Sequence, residues 1–302
     1  MTAVPTRGGA FAYTVYGLTL ASDVELPELA PGAGEPEIVI RLESAAPAPE
    51  GGRATAFHGG DLDVRLEYAQ VAGLAIRDGR EITIAPRPGA DPAAVRALLL
   101  GPALAVLLHQ RGVLALHASS LRLPAGVVAF LGGSGWGKST IAGALERLGH
   151  DLVADDITAV DPRPGQVDVL PAFPQLKLWP EAAHALGIDP ETLPLVVPDE
   201  AKRARRVAGG LSAAPLRLAS LLVLAFGEPA RIEPLTPREA LLELVRHSFC
   251  APRLAQLGAE RHFLQCGEVV RRVPVGRLVR PRSLAALDEV AALVEREVGH
   301  AP

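Results

Sequence analysis

The sequence predicts an α/β protein in two parts: a β-rich N-terminal domain over residues 1–90 and a P-loop α/β domain over residues 91–302. Three observations carry this. Segments before residue 90 alternate apolar and polar residues or are rich in β-branched ones, as strands are. From Val113 onward, strand-like and helix-like segments alternate, the texture of a sheet covered by helices. Between an apolar strand and a helix lies a glycine-rich loop, GGSGWGKST, Gly132–Thr140.

Composition narrows the class. The 302 residues suffice for one large domain or two ordinary ones, and 49% are hydrophobic, so a sizeable core can form. Aromatics make up only 4%, which leaves Ala, Val and Leu to fill it. A net charge of -4 argues against a nucleic-acid partner, whose binders carry a basic footprint. Cys250 and Cys266 have no metal-like spacing and read as packing thiols in a reducing compartment. The N-terminus has no apolar signal core. The longest apolar run, Ala97–Leu108, is too short for a bilayer core of about 30 Å. The expectation is a soluble, cytoplasmic protein with no membrane partner.

In order along the chain, AFAYTVYGLTLAS, PEIVIRL, DLDVRLEYA and GLAIRDGREITIAP read as strands, with Asp78-Gly79 as a hairpin turn. Asp91 suits a helix N-cap and Pro92 the first helical position. That helix runs to about Gln110, kinked or broken at Gly101-Pro102, and could side with either domain. GVLALHASSLRL and GVVAFLGG are strands, and a helix follows from Lys138 to Leu148. DLVAD, ITAVD and QVDVL continue as strands, whereas PAFPQLKLWP, with three prolines, reads as irregular. EAAHALG is a short helix and AKRARRVAGG a basic loop. LASLLVLAFG and RIEPL are strands, TPREALLELVRHS a helix capped by Thr236, and Pro252 to Arg271 a second helix. VPVGRLVRP is the last strand, before an amphipathic helix capped by Ser283.

Residues Gly132–Ser139 fit the pattern G-x-x-x-x-G-K-[ST]. Gly132, Gly133, Gly135 and Gly137 let the chain turn tightly, so that backbone N–H groups of the loop, including those at Ser134, Trp136 and Thr140, can converge on phosphate. Lys138 would reach the terminal phosphates, and the Ser139 hydroxyl would sit on Mg²⁺. Trp136 is unusual there and either lies over the nucleotide or packs on a neighbouring loop.

Two adjacent carboxylates, Asp155 and Asp156, end the apolar strand DLVAD. Side by side they repel and resist burial. A helix of about ten residues leads roughly 15 Å away from the phosphates, and a returning strand climbs roughly 3.3 Å per residue. A right-handed crossover would therefore bring the acids back beside the P-loop. Strand alternation predicts different jobs for them: one holds Mg²⁺, the other takes the proton of an attacking hydroxyl.

LHASS, GGSGWGKST and RLGHDLVADD together resemble the C-terminal catalytic domain of HPr kinase/phosphorylase and its wider group, over residues 113–160. The resemblance implies a P-loop serine kinase fold with ATP and Mg²⁺ as cofactors. It assigns Asp155 as the catalytic base, Asp156 as the acid at the metal with Ser139, and Lys138 to the phosphates. It makes His117 the support of the catalytic aspartate, although the residue alone reads equally well as a core histidine. Two departures stand out: Thr140 replaces the family's glutamate after the P-loop serine, and the signature EIRGLG is absent. LPAFPQLKLW and YGLTLASDVELPEL look more like the kinase homologues of lasso-peptide gene clusters, understood to phosphorylate the C-terminal serine of a precursor peptide.

Lys177, in the proline-bounded segment with Trp179, either shapes an acceptor site or is solvated on a packed crossover. Lys202, Arg203, Arg205 and Arg206 read as a solvated basic loop, or as a mobile one over phosphates. The expected activity is ATP- and Mg²⁺-dependent phosphorylation of a serine hydroxyl on a peptide or small protein, recognised by the N-terminal domain. HPr itself is an alternative acceptor, a non-catalytic nucleotide switch an alternative function, and a homo-oligomer an open possibility.

Overall fold

The computed structural model describes residues 10–45, 47, 55–163, 165–207, 214–249, 251 and 257–298. It is a mixed α/β protein with two large sheets. The first holds β1 (Phe11–Val15), β2 (Leu18–Ser22), β3 (Ala30–Pro31), β4 (Ile38–Leu42), β5 (Thr55–Gly59), β6 (Asp63–Tyr68), β7 (Ala72–Arg77) and β8 (Glu81–Pro86), in the order β3-β1-β2-β4-β8-β7-β6-β5. Alternation explains its one-sided core: in β7 every second residue is buried, from Ala72 to Ile76. The hairpin expected at Asp78-Gly79 joins β7 to β8, with φ of 53° and 62° at its two central residues.

Next come α1 (Pro92–Leu98), a π-helical turn (Leu99–Ala103) and α2 (Leu104–Gln110). Asp91 caps α1 by accepting from Ala93 N at 2.7 Å. Pro102 has no N–H to give, and the wider turn absorbs it without breaking the helix. The continuous helix Pro92–Gln110 is, at 19 residues, long and apolar enough to cross a membrane, unlike the shorter run the sequence marks. Its Leu99, Ala103, Leu104, Leu107 and Leu108 are instead buried in one cluster with the first sheet.

The second sheet is built from β9 (Leu114–Leu116), β10 (Ala118–Leu123), β11 (Gly126–Leu131), β12 (Asp151–Ala154), β13 (Thr158–Arg163), β14 (Gln166–Leu170), β17 (Leu216–Phe226), β18 (Arg231–Pro234) and β19 (Val275–Arg280). Between them lie α3 (Lys138–Arg147), β15 (Gln175–Leu178), α4 (Pro180–Ala185) and β16 (Arg203–Arg206), then α5 (Pro237–Arg246), α6 (Ala259–Arg272) and, last, α7 (Leu287–Val298). Strands β11, β17 and β19 are parallel neighbours, and β10 runs antiparallel between β11 and β12. The crossover through α3 therefore skips one strand, so β12 is not the immediate neighbour of the P-loop strand. Ile141 and Leu145 of α3 pack with Leu121, Phe130 and Leu152 of the three strands, which fixes the helix over the gap.

Three local readings change. GVLALHASSLRL is two strands, because His117 N bonds His247 O at 2.7 Å and the chain passes from β9 on β13 to β10 on β11. The proline-rich segment contains β15, and the basic segment contains β16, its antiparallel partner. Leu176 and Leu178 are buried while Gln175 and Lys177 are not, a short period-two pattern that the flanking prolines obscure. Helix α5 starts with the capping box Thr236–Glu239, and Ser283 caps the short turn ahead of α7. Residues 252–256 of the expected second helix and Cys250 lie outside the described residues; Cys266 is a free, buried thiol.

Candidate phosphoryl-transfer site

The loop after β11 is made by backbone shape. Gly135 and Gly137 adopt φ of 76° and 84°, and a Cβ on Gly137 would lie 2.7 Å from a guanidinium nitrogen of Arg280. Gly137 is the N-cap of α3, so the helix's first N–H groups point into the loop's concavity. Lys138 is buried, and its Nζ donates to Gly132 O at 2.9 Å and Gly133 O at 3.2 Å. Burial lowers its pKa, against the pull of Asp155 and Asp156. Trp136 packs on Phe226, ring centroids 5.5 Å apart, and Arg280 donates to its carbonyl.

The acid pair faces this loop. Strand β12 ends at Ala154, and Asp156 has φ 77°, so simple alternation does not govern the two side chains. Both turn to the same pocket but are held differently. Asp155 Oδ1 accepts from Ser119 Oγ at 2.5 Å and from Ser139 Oγ at 2.9 Å, and Oδ2 accepts from Lys177 N at 2.8 Å. Burial pushes this carboxyl's pKa up, and the three hydrogen bonds oppose it. Asp156 Oδ2 accepts from Lys177 Nζ at 2.7 Å, and its Oδ1 lies 3.5 Å from His117 Nε2. Burial would raise Asp156, yet the Lys177 ammonium holds it down to about 2. Burial and then Lys138 push His117 down to about 4, so the imidazole is neutral at pH 7.

Most of the sequence-derived residues thus meet: Lys138, Ser139, Thr140, Asp155, Asp156 and His117 line one pocket with Ser134, Gly135 and Gly137, whereas Gly132, Gly133 and Trp136 line the neighbouring cavity on the His117 side. The contacts run against the expected order of the acids, because Asp155, not Asp156, touches Ser139. Ser119 and Lys177 are the contributors that sequence reasoning missed or left open. Ser119 sits in LHASS two residues after His117, a spacing that puts both on one face if the segment is read as a single strand. Lys177 is not a solvated crossover residue. Of the basic segment only Lys202 lines this pocket; Arg203 pairs with Glu191 at 2.8 Å, Arg205 with Glu146 at 2.6 Å, and Arg206 donates to Pro27 O at 3.1 Å.

Two larger cavities adjoin this pocket. One, of about 780 Å³, shares His117 and Asp156 with it and extends to Arg246, His247 and Arg277. The other, of about 320 Å³, shares Gly135, Gly137, Thr140 and Trp179. Among the described residues no group of three or more His, Cys, Asp or Glu side chains is placed to hold a metal by itself. The pairing of the Ser139 hydroxyl with the Asp155 carboxylate does suit Mg²⁺, which protein sites commonly bind through one or two carboxylates plus substrate phosphates.

No family model matches the chain, and no curated protein matches it. Among solved structures, it is similar to the HPr(Ser) kinase/phosphatase from Coxiella burnetii, with a TM-score of 0.31 and 14% identity over 60% of this chain and 94% of that one. So low a score assigns neither fold nor chemistry.

Proposed function

We propose that this protein is a nucleoside-triphosphate- and Mg²⁺-dependent phosphotransferase that phosphorylates a serine hydroxyl of a peptide or small protein. One observation carries the reading: a P-loop lysine and serine and an acid pair share a pocket that opens onto a cavity of about 780 Å³ at Asp156 and His117. Donor and acceptor can then approach the same point from different sides, as phosphoryl transfer requires. The resemblance over residues 113–160 supports the same class and supplies the serine.

When bound, the metal–triphosphate would supply the phosphoryl group and offset its charge, held by the loop's N–H groups, Lys138, Ser139 and Asp155. Lys138 stabilises negative charge on the transferred group. The contacts favour the reverse of the expected division of labour: Asp155 serves the metal side through Ser139, and Asp156 faces the acceptor. Asp156 takes the hydroxyl proton as the new O–P bond forms. A loose transition state releases that proton late, so a carboxylate of low pKa suffices. Lys177 keeps it ionised, and neutral His117 packs against its other oxygen. We assign recognition of the acceptor's more distant residues to the N-terminal part, whose β2–β3 loop at Pro27 and Glu28 lines a separate cavity with Lys177 of the ribbon.

The test uses labelled ATP with a serine-ended peptide or with HPr as acceptor. Asp156→Asn should abolish phosphotransfer while nucleotide still binds with Mg²⁺. Asp155→Asn should instead raise the Mg²⁺ concentration needed for binding. The opposite pattern would restore Asp155 as the base. Transfer to neither acceptor, with Asp156→Asn indistinguishable from the parent in every assay, would remove the phosphotransferase reading.

A further inference from the structure

Ser139 bonds Asp155, and Lys138 lines the same pocket as both acids, which sets the terminal phosphates of any bound triphosphate on that side. One way out of the loop for its other end runs over Gly135, Gly137 and Thr140. There the structure has a second opening, the cavity of about 320 Å³, whose wall is mostly apolar. Ile141, Leu284 and Leu287 form its floor and side, and two aromatic rings, Trp179 and Phe226, border it.

Both rings stay part-exposed in a protein poor in aromatics, although Trp136 packs on Phe226. Trp179 is 41% exposed, Phe226 38% and Leu284 42%, all on one cavity. Clustered exposed apolar side chains beside a polar site mark a ligand surface. Cations face both rings. The Arg282 guanidinium lies 4.8 Å from the Phe226 centroid and Arg280 lies 5.1 Å from it, while Lys202 Nζ stands 5.5 Å from the Trp179 ring. Arg282 has no hydrogen bond or ion pair among the described residues, so its N–H donors are available at the rim.

We infer that this cavity seats the nucleobase and ribose of the phosphoryl donor, with Phe226, Arg282 and Trp179 as its stacking surfaces. The inference rests on the phosphotransferase reading and adds to it the residues that hold the donor's nucleoside end, a seat that a pyrophosphate or polyphosphate donor would leave empty. Planar heterocycles stack on aromatic faces and on guanidinium planes whatever their edge pattern. An apolar seat joined to a phosphate nest fits one kind of molecule, with a planar apolar end and a triphosphate end. The acceptor cavity, on the His117 side, shares none of these three residues.

The test is equilibrium binding of ATP and of inorganic tripolyphosphate, both with Mg²⁺, to the full chain by calorimetry. ATP should bind at least about 10-fold more tightly than tripolyphosphate, the size of one stacking contact. Arg282→Ala should lower ATP affinity by about 5- to 10-fold and leave tripolyphosphate affinity within about 2-fold, and Phe226→Ala should lower ATP affinity more than tripolyphosphate affinity, because Trp136 of the loop also packs on Phe226. Both side chains are partly exposed, so neither truncation opens a core cavity, and thermal melts check this. Equal affinities for the two ligands in the parent protein, or variants that weaken both equally, would overturn the seat but not the P-loop. Failure of both ligands to bind would sink the phosphotransferase reading and this seat with it.

Discussion

The P-loop and the β15–β16 ribbon reach the same two aspartates from different directions and by different means. The loop works through backbone: glycines at positive φ, the N-terminus of α3, and Ser139 placed on Asp155 by the helix that follows. The ribbon works through one residue. Lys177 gives its N–H to Asp155 and its ammonium to Asp156. The loop's shape is local, whereas the ribbon's position is borrowed, from Leu176 and Leu178 in the α3 core and from Arg205 on Glu146. The difference teaches that the loop's shape and the carboxylates' charge are set by separate elements. Mutations should therefore be able to separate binding from chemistry.

The largest effect belongs to the loop. Lys138→Ala should lower phosphotransfer by about 10³-fold or more, since it removes a cation aimed at the transferred group. It should also weaken nucleotide binding, read by calorimetry. Unchanged binding together with unchanged turnover would show that the loop does not hold phosphate at all.

Lys177→Met should cost less and differently. We expect about a 10²-fold fall in turnover with nucleotide affinity within about 3-fold, because no loop contact is lost. Without the ammonium, burial dominates Asp156, and its pKa rises from about 2 to above the ordinary carboxylate range. The sign follows. In the parent protein the depressed Asp156 adds stability that is present above its unfolded pKa near 3.9 and is lost as pH falls toward about 2. In the variant that contribution is gone, and the acid limb of the pH–rate profile moves upward. An acid limb that stays put would mean that Lys177 does not govern the base.

This contrast also explains what could be read in advance. The P-loop, the acid pair and the Asp91 cap were legible because each is a short stretch with its own geometry, whereas His117 was singled out by the resemblance alone. The hairpin at Asp78-Gly79 and the capping box at Thr236 were legible for the same reason. Strands β15 and β16 were not, since each has only four residues, one is framed by Pro174 and Pro180, and the other is dominated by arginines. Their pairing spans a long sequence separation, and their stability comes from tertiary burial rather than propensity. That both acids face one pocket was hidden too: it depends on a left-handed Asp156 beyond the end of β12, which no period-two argument can foresee.

A smaller effect tests the ribbon's anchorage. Arg205 holds Glu146 of α3 through two nitrogens, at 2.6 and 3.2 Å, both side chains being partly buried. Arg205→Ala leaves Glu146 without its partner and should lower stability by about 1–3 kcal/mol in denaturant melts. Turnover should fall only a few-fold, because Leu176 and Leu178 still hold β15. A loss as large as that of Lys177→Met would show that the ribbon depends on this pair.

The smallest expected change concerns the second basic neighbour of Asp156. His117 Nε2 is 3.5 Å from Asp156 Oδ1, close enough for an ion pair if the ring were charged. Burial and Lys138 outweigh the carboxylate and hold the imidazole at about 4, below its ordinary value near 6.5. The His117 ring resonance in an NMR titration should therefore stay flat from pH 8 to pH 5 and move only around pH 4. The linked stability has a definite sign: as pH falls below about 6.5 the unfolded chain takes up this proton first, so the folded state loses stability until His117 itself protonates near 4. His117→Gln should reduce that loss. A midpoint at 6.5 or above would mean that Asp156 stabilises an imidazolium, and the division of labour would then change. The histidine on the P-loop sheet, rather than the lysine on the ribbon, would share control of the acceptor-side carboxylate.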